Sequence, residues 1–190
     1  GTVRDLLAGD SPAGGGSGEL FDFDATTDAR PDQIKQLLRG WADAIWTQGE
    51  RFGTIGAKKA GPHGDRIFEI TTHRAEAYTD DSRKPEVRYS TDITEDLSRR
   101  DFTINAMALE LTSESPTLVD PFGGAVDLVT RTLRTPLAPE VSFSDDPLRM
   151  LRAARFIARL QCTPVRELVA AVTAMKGRLE IVSAERIRDE

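Results

Sequence analysis

The sequence predicts an α+β fold followed by a helical segment, and three observations support this fold class. Residues 21–28, FDFDATTD, alternate Phe with Asp as a half-buried strand does. Residues 28–41, DARPDQIKQLLRGW, place apolar residues at helical spacing behind a proline suited to a first helical turn. From Pro139 onward the pattern is helical, which predicts a domain boundary near residue 138, within the window 136–144.

Ahead of the first strand, the sequence predicts a short helix and a flexible connection. Residues 1–9, GTVRDLLAG, are typical of a turn that leads into a short helix. Residues 10–19, DSPAGGGSGE, are interpreted as a linker, because their glycines lack the spacing of a P-loop or a dinucleotide-binding fingerprint. In the helix at 28–41 the predicted apolar stripe consists of Ile34, Leu37, Leu38 and Trp41.

Further elements are predicted from alternation, turn residues and helical periodicity along the rest of the chain. Strands are expected in residues 44–59, 65–74, 117–124 and 130–136. Residues 95–111 are expected to begin with the start of a helix and to continue into another strand. The polar stretch 78–94 is expected to be a mobile loop. The helices that follow the boundary are expected at 145–160, 163–179 and 183–190.

Composition describes an ordinary globular protein. The chain has 190 residues, 39% hydrophobic and 29% charged, with a formal net charge of −6, which argues mildly against a dedicated nucleic-acid wrapper. A lone Cys162 and only two histidines exclude an internal disulfide and a structural zinc set, so a reducing cytoplasm fits best. No apolar run reaches membrane-spanning length, so no membrane partner is expected. The chain reads as an excerpt of a longer protein, and its oligomeric state is left open.

Two carboxylates at alternate positions are the first candidate functional feature. If residues 21–28 form a strand, Phe21 and Phe23 share a buried face, while Asp22 and Asp24 share the opposite face. Held about 6 Å apart in a half-buried site, the carboxylates repel by roughly 2–3 kcal/mol, so a cation should offset them. The alternative is a loop in which the aspartates form Asx-turns or cap the next helix.

A third acid is expected on the same face. Alternation in residues 65–74 groups Glu69 with His73, and Glu69 would face Asp22 and Asp24 if the two strands are neighbours. Three converging carboxylates suit Mg²⁺ and the two-metal transfer of phosphoryl or nucleotidyl groups. The alternative for Glu69 is an exposed strand acid, and His73 is interpreted as a rim residue rather than a ligand.

Basic and acidic residues elsewhere suit a nucleotide. Arg100 and Asp101 precede an apolar run, where the arginine could bind a phosphate and the carboxylate could accept from a sugar hydroxyl. The alternative is a helix capped by Asp101 beside solvated arginines. At the start of the chain, the backbone of Gly1 can approach a phosphate, with Arg4 as its counter-charge.

Six motifs in order resemble the class II tRNA nucleotidyltransferase and bacterial poly(A) polymerase family. They are GTVRD, FDFDATTDA, FEITTHR, RRDFTINAMA, VDPFGGAVDL and DDPLRMLRAARF, and they span essentially the whole chain. The resemblance implies a polymerase-β-like nucleotidyltransferase head, a mixed sheet with flanking helices, over residues 1–138, followed by the start of an all-helical neck over 139–190. The Gly-rich stretch departs from the family in length, and the family's first strand, which comes before GTVRD, is expected to be missing from the fragment.

The resemblance also implies roles for individual residues. Asp22 and Asp24 would bind Mg²⁺, and Glu69 would be the third catalytic acid. The residues implied to handle the triphosphate are Gly1, Thr2 and Arg4, and those implied to read the sugar 2′-hydroxyl are Arg100 and Asp101.

Base choice is expected to depend on DDPLRMLRAARF. Pro147 suits a first helical position, which makes Asp146 the expected N-cap and places Arg149 beside it. An acid that accepts from an amino group, beside an arginine that donates to a ring nitrogen, suits cytosine and adenine and opposes uracil and guanine. In the family this motif serves as the template. The alternative is a cap with a solvated arginine. The basic stripe that is expected to meet RNA phosphates consists of Arg152, Arg155 and Arg159. Of these three, Arg152 is also expected to bind the nucleotide.

The implied activity is Mg²⁺-dependent transfer of CMP and AMP from CTP and ATP to the 3′ end of tRNA. Within the family, a poly(A) polymerase and enzymes that add only C or only A remain alternatives. An alternative of another class is a non-catalytic module that binds nucleotides or RNA. Retention of all three acids favours an enzyme over that module.

Overall fold

The computed structural model describes residues 1–9, 21–62, 64–77, 86–112 and 114–190. The predicted linker at 10–19 lies outside these residues. The described chain divides into two compact units, Gly1–Asp96 and Leu97–Glu190. No helix in the described part is long and apolar enough to span a membrane.

The first unit alternates short helices with strands. Its elements are α1 (Thr2–Leu7), β1 (Phe21–Thr27), α2 (Pro31–Leu38), β2 (Ala44–Trp46), a 3₁₀ turn (Glu50–Phe52), β3 (Thr54–Gly61), β4 (Gly64–Thr72), β5 (Arg74–Ala77) and β6 (Glu86–Tyr89). The helix α3 (Ile93–Ser98) runs across the division between the units.

Four strands of the first unit form one mixed sheet in the order β1-β4-β3-β2. β1 is parallel to β4, whereas β4 with β3 and β3 with β2 are antiparallel. The predicted mixed sheet with a flanking helix is therefore confirmed. β5 and β6 form a separate antiparallel pair.

One face of the sheet is covered by α2. Ile34 and Leu38 of this helix pack with Ile55 and Ala57 of β3 in a buried core. The predicted stripe is only half right, because Leu37, inside α2, is 76% exposed and the helix ends at Leu38, before Trp41. Trp41, also predicted on the stripe, is 44% exposed.

Two sequence predictions in the first unit need correction. Residues 44–59 are two antiparallel strands, β2 and β3, separated by the 3₁₀ turn, because Gly53 adopts a φ of +83° that ends the turn. Residues 86–89 of the predicted loop form β6, whose backbone pairs with β5, and α3 begins at Ile93. The remainder of the predicted loop, residues 78–85, lies outside the described residues.

The second unit contains short strands and five further helices. Its elements are a 3₁₀ turn (Thr103–Asn105), β7 (Ala108–Glu110), β8 (Thr117–Val119), α4 (Gly124–Val129), β9 (Thr132–Leu133), α5 (Pro139–Asp145), α6 (Arg149–Leu160), β10 (Thr163–Pro164), α7 (Arg166–Met175), a 3₁₀ segment (Lys176–Ile181) and α8 (Ala184–Asp189). β7 pairs with β8 and β9 with β10, and α6, α7 and α8 lie within the helices predicted at 145–160, 163–179 and 183–190. The strands predicted at 117–124 and 130–136 are too long, because only Thr117–Val119 and Thr132–Leu133 form strands there, and α4 and α5 were not predicted.

A single buried cluster joins residues from both sides of the predicted boundary near residue 138. Phe102 and Leu133 from its N-terminal side pack in one core with Phe143, Phe156 and Leu168. The rings of Phe102 and Phe156 meet edge to face at 5.5 Å. All of these residues belong to the second compact unit, which begins at Leu97. The division into a head and a neck near residue 138 stays a prediction about the longer protein.

Candidate active site

The carboxylates predicted on the first sheet lie on its exposed face. Asp24 in β1 is the direct neighbour of Glu69 in β4, and Asp22 lies two residues earlier in β1. All three side chains are exposed. On the opposite face, the rings of Phe23 and Phe68 stack at 5.2 Å. The alternation therefore works as predicted, because parallel neighbours in register point their side chains to the same side.

The three carboxylates have no hydrogen bond or ion pair to another residue in the described part of the chain. The nearest lysine on their face, Lys58, instead pairs with Asp65, whose hydrogen bond raises the pKa of the lysine. The described residues hold no group of three or more His, Cys, Asp or Glu already gathered for a metal ion. The donors still fit Mg²⁺, because they are carboxylate oxygens on adjacent strands and no cation among the described residues neutralises them.

A row of four residues crosses the sheet through these acids. Asp24 pairs with Glu69, Glu69 with Gly56 of β3, and Gly56 with Trp46 of β2. The indole of Trp46 covers Gly56, since a Cβ there would stand 2.0 Å from its Cε2 and Nε1 atoms. Sequence reasoning missed Trp46, because only the strand register reveals that it shares a face with the acids.

His73 does not lie on a rim. It is 8% exposed, so the predicted position is wrong, and neither of its ring nitrogens has a hydrogen-bond partner among the described residues. Its backbone explains the burial, because its N–H donates to Thr27 and its carbonyl accepts from Ser90. These bonds hold the residue between the end of β1 and the segment after β6.

At the start of the chain, the predicted triphosphate residues lie at one helix. Thr2 and Arg4 belong to α1, and Gly1 is the residue that precedes it. Arg4 is buried, and its guanidinium donates to Asp5 from Nε at 2.7 Å. The arginine is therefore held in place by a neighbouring carboxylate.

In the second unit, the nearly buried Asp101 forms an ion pair with the half-buried Arg152. Nε and Nη2 of Arg152 donate to one carboxylate oxygen of Asp101 at 3.0 and 2.8 Å. The other oxygen accepts from the backbone N–H of Phe102 and from Asn105. Arg100, half-buried, directly precedes this group in the chain.

This network decides the charge state of Asp101. Burial alone would raise the pKa of its carboxyl, but the Asn105 hydrogen bond and the Arg152 charge outweigh it and hold the pKa below the ordinary value of 3.8. Asp101 does not cap a helix as the alternative expected, because the N-cap of the following 3₁₀ turn is Phe102. Its oxygens already accept four N–H groups, so a sugar hydroxyl would have to replace one of them.

Asp146 and Arg149 lie at the junction of α5 and α6 with different partners. Asp146 accepts from the backbone N–H of Leu148 and pairs with Arg186 at 2.9 Å. Arg149 donates to the hydroxyl of Ser142 at 2.9 Å and to the backbone carbonyl of Arg99 at 2.6 Å. The predicted N-cap is wrong, because α6 begins at Arg149 with Leu148 as its N-cap.

Comparisons with known proteins match most or all of this chain to one family. The family model of the Poly A polymerase head domain matches residues 1–134. The CCA-adding enzyme of Levilactobacillus brevis is 38% identical over 191 residues, which cover all of this chain and 43% of that enzyme. The CCA-adding enzyme of Bacillus subtilis is 41% identical over 168 residues, which cover 88% of this chain and 40% of that enzyme.

Solved structures give the same result. The crystal structure of the Bacillus stearothermophilus CCA-adding enzyme in complex with CTP matches with a TM-score of 0.75 and 32% identity, covering 97% of this chain and 40% of that one. A complex of a CCA-adding enzyme with ATP matches with a TM-score of 0.74 and 30% identity, again over 40% of the solved chain. The chain thus spans about two fifths of the length of these relatives.

Proposed function

The chain belongs to the Poly A polymerase head domain family, and from that premise we propose that it forms the nucleotidyl-transferring part of a CCA-adding enzyme. The proposed reaction joins CMP and AMP, from CTP and ATP, to the 3′ end of tRNA and releases pyrophosphate. The observation that carries the proposal is the pairing of Asp24 with Glu69 on the exposed sheet face, two residues from Asp22.

We assign the metal chemistry to these three acids. Asp22 and Asp24 would hold Mg²⁺, and Glu69 would be the third acid of the site. When bound, Mg²⁺ supplies Lewis-acid stabilisation of the charge that develops on the phosphate. The sheet contributes positioning, because backbone pairing of β1 with β4 fixes the spacing of the acids before any ligand binds.

Residues of each unit are proposed to recognise a different part of the nucleotide. In the first unit, Gly1, Thr2 and Arg4 are proposed to contact the triphosphate. In the second unit, Arg100 and Asp101 are proposed to read the sugar, and Arg152 supports them because it binds Asp101 directly.

Base selection is assigned to Asp146 and Arg149. Donation to Ser142 holds the Arg149 guanidinium, while the Asp146 carboxylate pairs with Arg186, which is 53% exposed. An exposed ion pair contributes little, about 0–1 kcal/mol. Release of Asp146 from Arg186 would therefore cost little, and the carboxylate could then accept from the amino group of cytosine or adenine.

Other activities within the family are less well supported. The names of the curated and solved relatives favour CCA addition over a poly(A) polymerase or an enzyme that adds only C or only A. A non-catalytic module is disfavoured by the three retained acids, which pair with no other residue in the part of the chain that the structure describes. Placement in the cytoplasm stays a prediction from composition.

The test uses the full-length protein and tRNA that lacks its terminal CCA. Each NTP is supplied singly and in pairs, and the 3′ ends of the products are sequenced. CTP alone should give addition of C only, and CTP with ATP should give CCA. Long A tails with ATP alone would identify a poly(A) polymerase, and no extension with any mixture would contradict transferase activity.

A further inference from the structure

We propose that Trp46 binds the 3′-terminal base of the acceptor RNA by stacking, next to the carboxylates that act on its 3′-hydroxyl. This inference rests on the proposed function, because it assumes that an RNA 3′ end reaches the acids. It adds a binding residue for the acceptor strand, whereas the residues assigned above handle the metal and the incoming nucleotide.

The strand register places the indole beside the acids. Asp24, Glu69, Gly56 and Trp46 occupy one row, on the sheet face opposite α2. Neighbouring strands lie about 4.8 Å apart, so the backbone of Trp46 is roughly 10 Å from that of Glu69. Because the indole extends over Gly56, the ring lies only about 5 Å, one strand spacing, from the backbone of Glu69 along the row.

Gly56 makes this arrangement possible. A side chain at this position would meet Cε2 and Nε1 of Trp46 at 2.0 Å and Cζ2 at 2.6 Å, so the indole occupies the space of the missing side chain. Trp46 is only partly buried, which leaves part of the ring accessible. Its N–H has no hydrogen-bond partner among the described residues.

The other polar side chains near the row of Asp24, Glu69, Gly56 and Trp46 form pairs among themselves. Lys58, on the same face, pairs with Asp65. Towards the other end of the strands, the hydroxyls of Thr54 and Thr71 share a hydrogen bond of 2.9 Å. Trp46 is thus the aromatic surface that the described part of this face offers next to the acids.

The chemistry of stacking favours the acceptor strand over the incoming nucleotide. Stacking tolerates any base because every base has a π-face. During CCA addition the terminal base of the acceptor changes at each step, so its site must tolerate several bases. The incoming nucleotide must instead be discriminated, which requires hydrogen bonds such as those assigned to Asp146 and Arg149. A single ribose separates a 3′-hydroxyl at the acids from a base on the indole.

Steady-state kinetics of the full-length protein test the assignment. Trp46→Ala should raise the KM for tRNA lacking CCA by roughly 10- to 100-fold, the range expected for a lost stacking contact, and leave the KM for CTP within about twofold. Trp46→Phe should keep most of the affinity. Gly56→Ala should reproduce the loss, because its Cβ displaces the indole. The matched control is Trp41→Phe, because Trp41 packs against Phe68 on the opposite face.

An acceptor whose 3′ nucleotide is an abasic ribose identifies the group that stacks. Wild type should bind the abasic acceptor as weakly as Trp46→Ala binds the normal acceptor. With the abasic acceptor, Trp46→Ala should cause no further loss of affinity. An equal loss of affinity for the normal and abasic acceptors would overturn the proposal. A loss confined to the KM for CTP would overturn it as well, since the indole would then contact the incoming base.

A binding measurement separates this inference from the proposed function. The fluorescence of Trp46 is obtained as the difference between the full-length protein and its Trp46→Phe variant, which removes one of the two tryptophans of this sequence. Without NTP, single-stranded RNA ending in a normal nucleotide should quench this fluorescence more than the same RNA ending in the abasic ribose. Equal quenching by both RNAs would refute stacking even in an active enzyme, and unequal quenching would support stacking even if no transfer occurred. Thermal melting of each variant confirms folding.

Discussion

Replacement of Asp101 by Asn should lower the free energy of unfolding by about 2 kcal/mol. The substitution keeps an oxygen for Phe102 and Asn105 but removes the oxygen that accepts two bonds from Arg152. Bonds between charged groups contribute roughly 1.5–3 kcal/mol each. Two such bonds at the lower end give about 3 kcal/mol. One third of this sum is subtracted for solvent screening, because Arg152 is 32% exposed. A simple helix cap at Asp101 would contribute only about 1 kcal/mol.

The assay is urea unfolding of wild type, Asp101→Asn, Arg152→Gln and the double variant. The pair should show a coupling energy of about 1 kcal/mol or more. Because the folded pKa of Asp101 lies below 3.8, its contribution is present above about pH 4 and is lost as the pH falls through that folded pKa. The difference between wild type and Asp101→Asn should therefore shrink below about pH 4. A loss under 1 kcal/mol with no coupling would refute this reasoning.

Three further predictions concern the second unit. Gly124→Ala should lower the unfolding free energy by roughly 1–3 kcal/mol in thermal melting, because its Cβ would lie 2.1 Å from the backbone oxygen of Thr103; an unchanged Tm would contradict the close approach. Asp120→Ala should cost about 1 kcal/mol, because Asp120 accepts from the first two N–H groups of α4 at 2.7 and 2.9 Å, with Asp120→Asn as the milder control. Arg149→Ala in the full-length protein should erode the preference for CTP and ATP over UTP and GTP by one to two orders of magnitude, since a mismatched hydrogen-bond pair costs about 1–3 kcal/mol; full selectivity in a folded variant would rule the template out.

The carboxylate face could be predicted because strand alternation is a local property. The order FDFD alone places Asp22 and Asp24 opposite Phe23, and FEITT places Glu69 opposite Phe68. Local sequence left open whether the two strands are neighbours, and the position of the third acid depended on that condition. The parallel pairing of Asp24 with Glu69 meets it.

Features that depend on register or on distant partners could not be predicted. Trp46 shares a row with the acids only because β2 pairs with β3 at Gly56. The Asp101 ion pair joins residues 51 positions apart, and local sequence suggested only a cap. Asp146 was expected beside Arg149, but Arg186, 40 positions away, is its partner. Tertiary contacts thus decided each case that local spacing missed.

The most direct test of the central claim is nucleotide transfer by the full-length protein with Asp22→Asn and Asp24→Asn combined. Asp65→Asn is the matched control, because Asp65 lies on the same face but pairs with Lys58. Transfer of CMP to tRNA lacking CCA is measured with Mg²⁺, alongside the shift in Tm that Mg²⁺ causes. We expect the double variant to fold but to lose both transfer and the Mg²⁺ shift, and we expect the control to keep both. Unchanged transfer by the folded double variant would contradict the central claim.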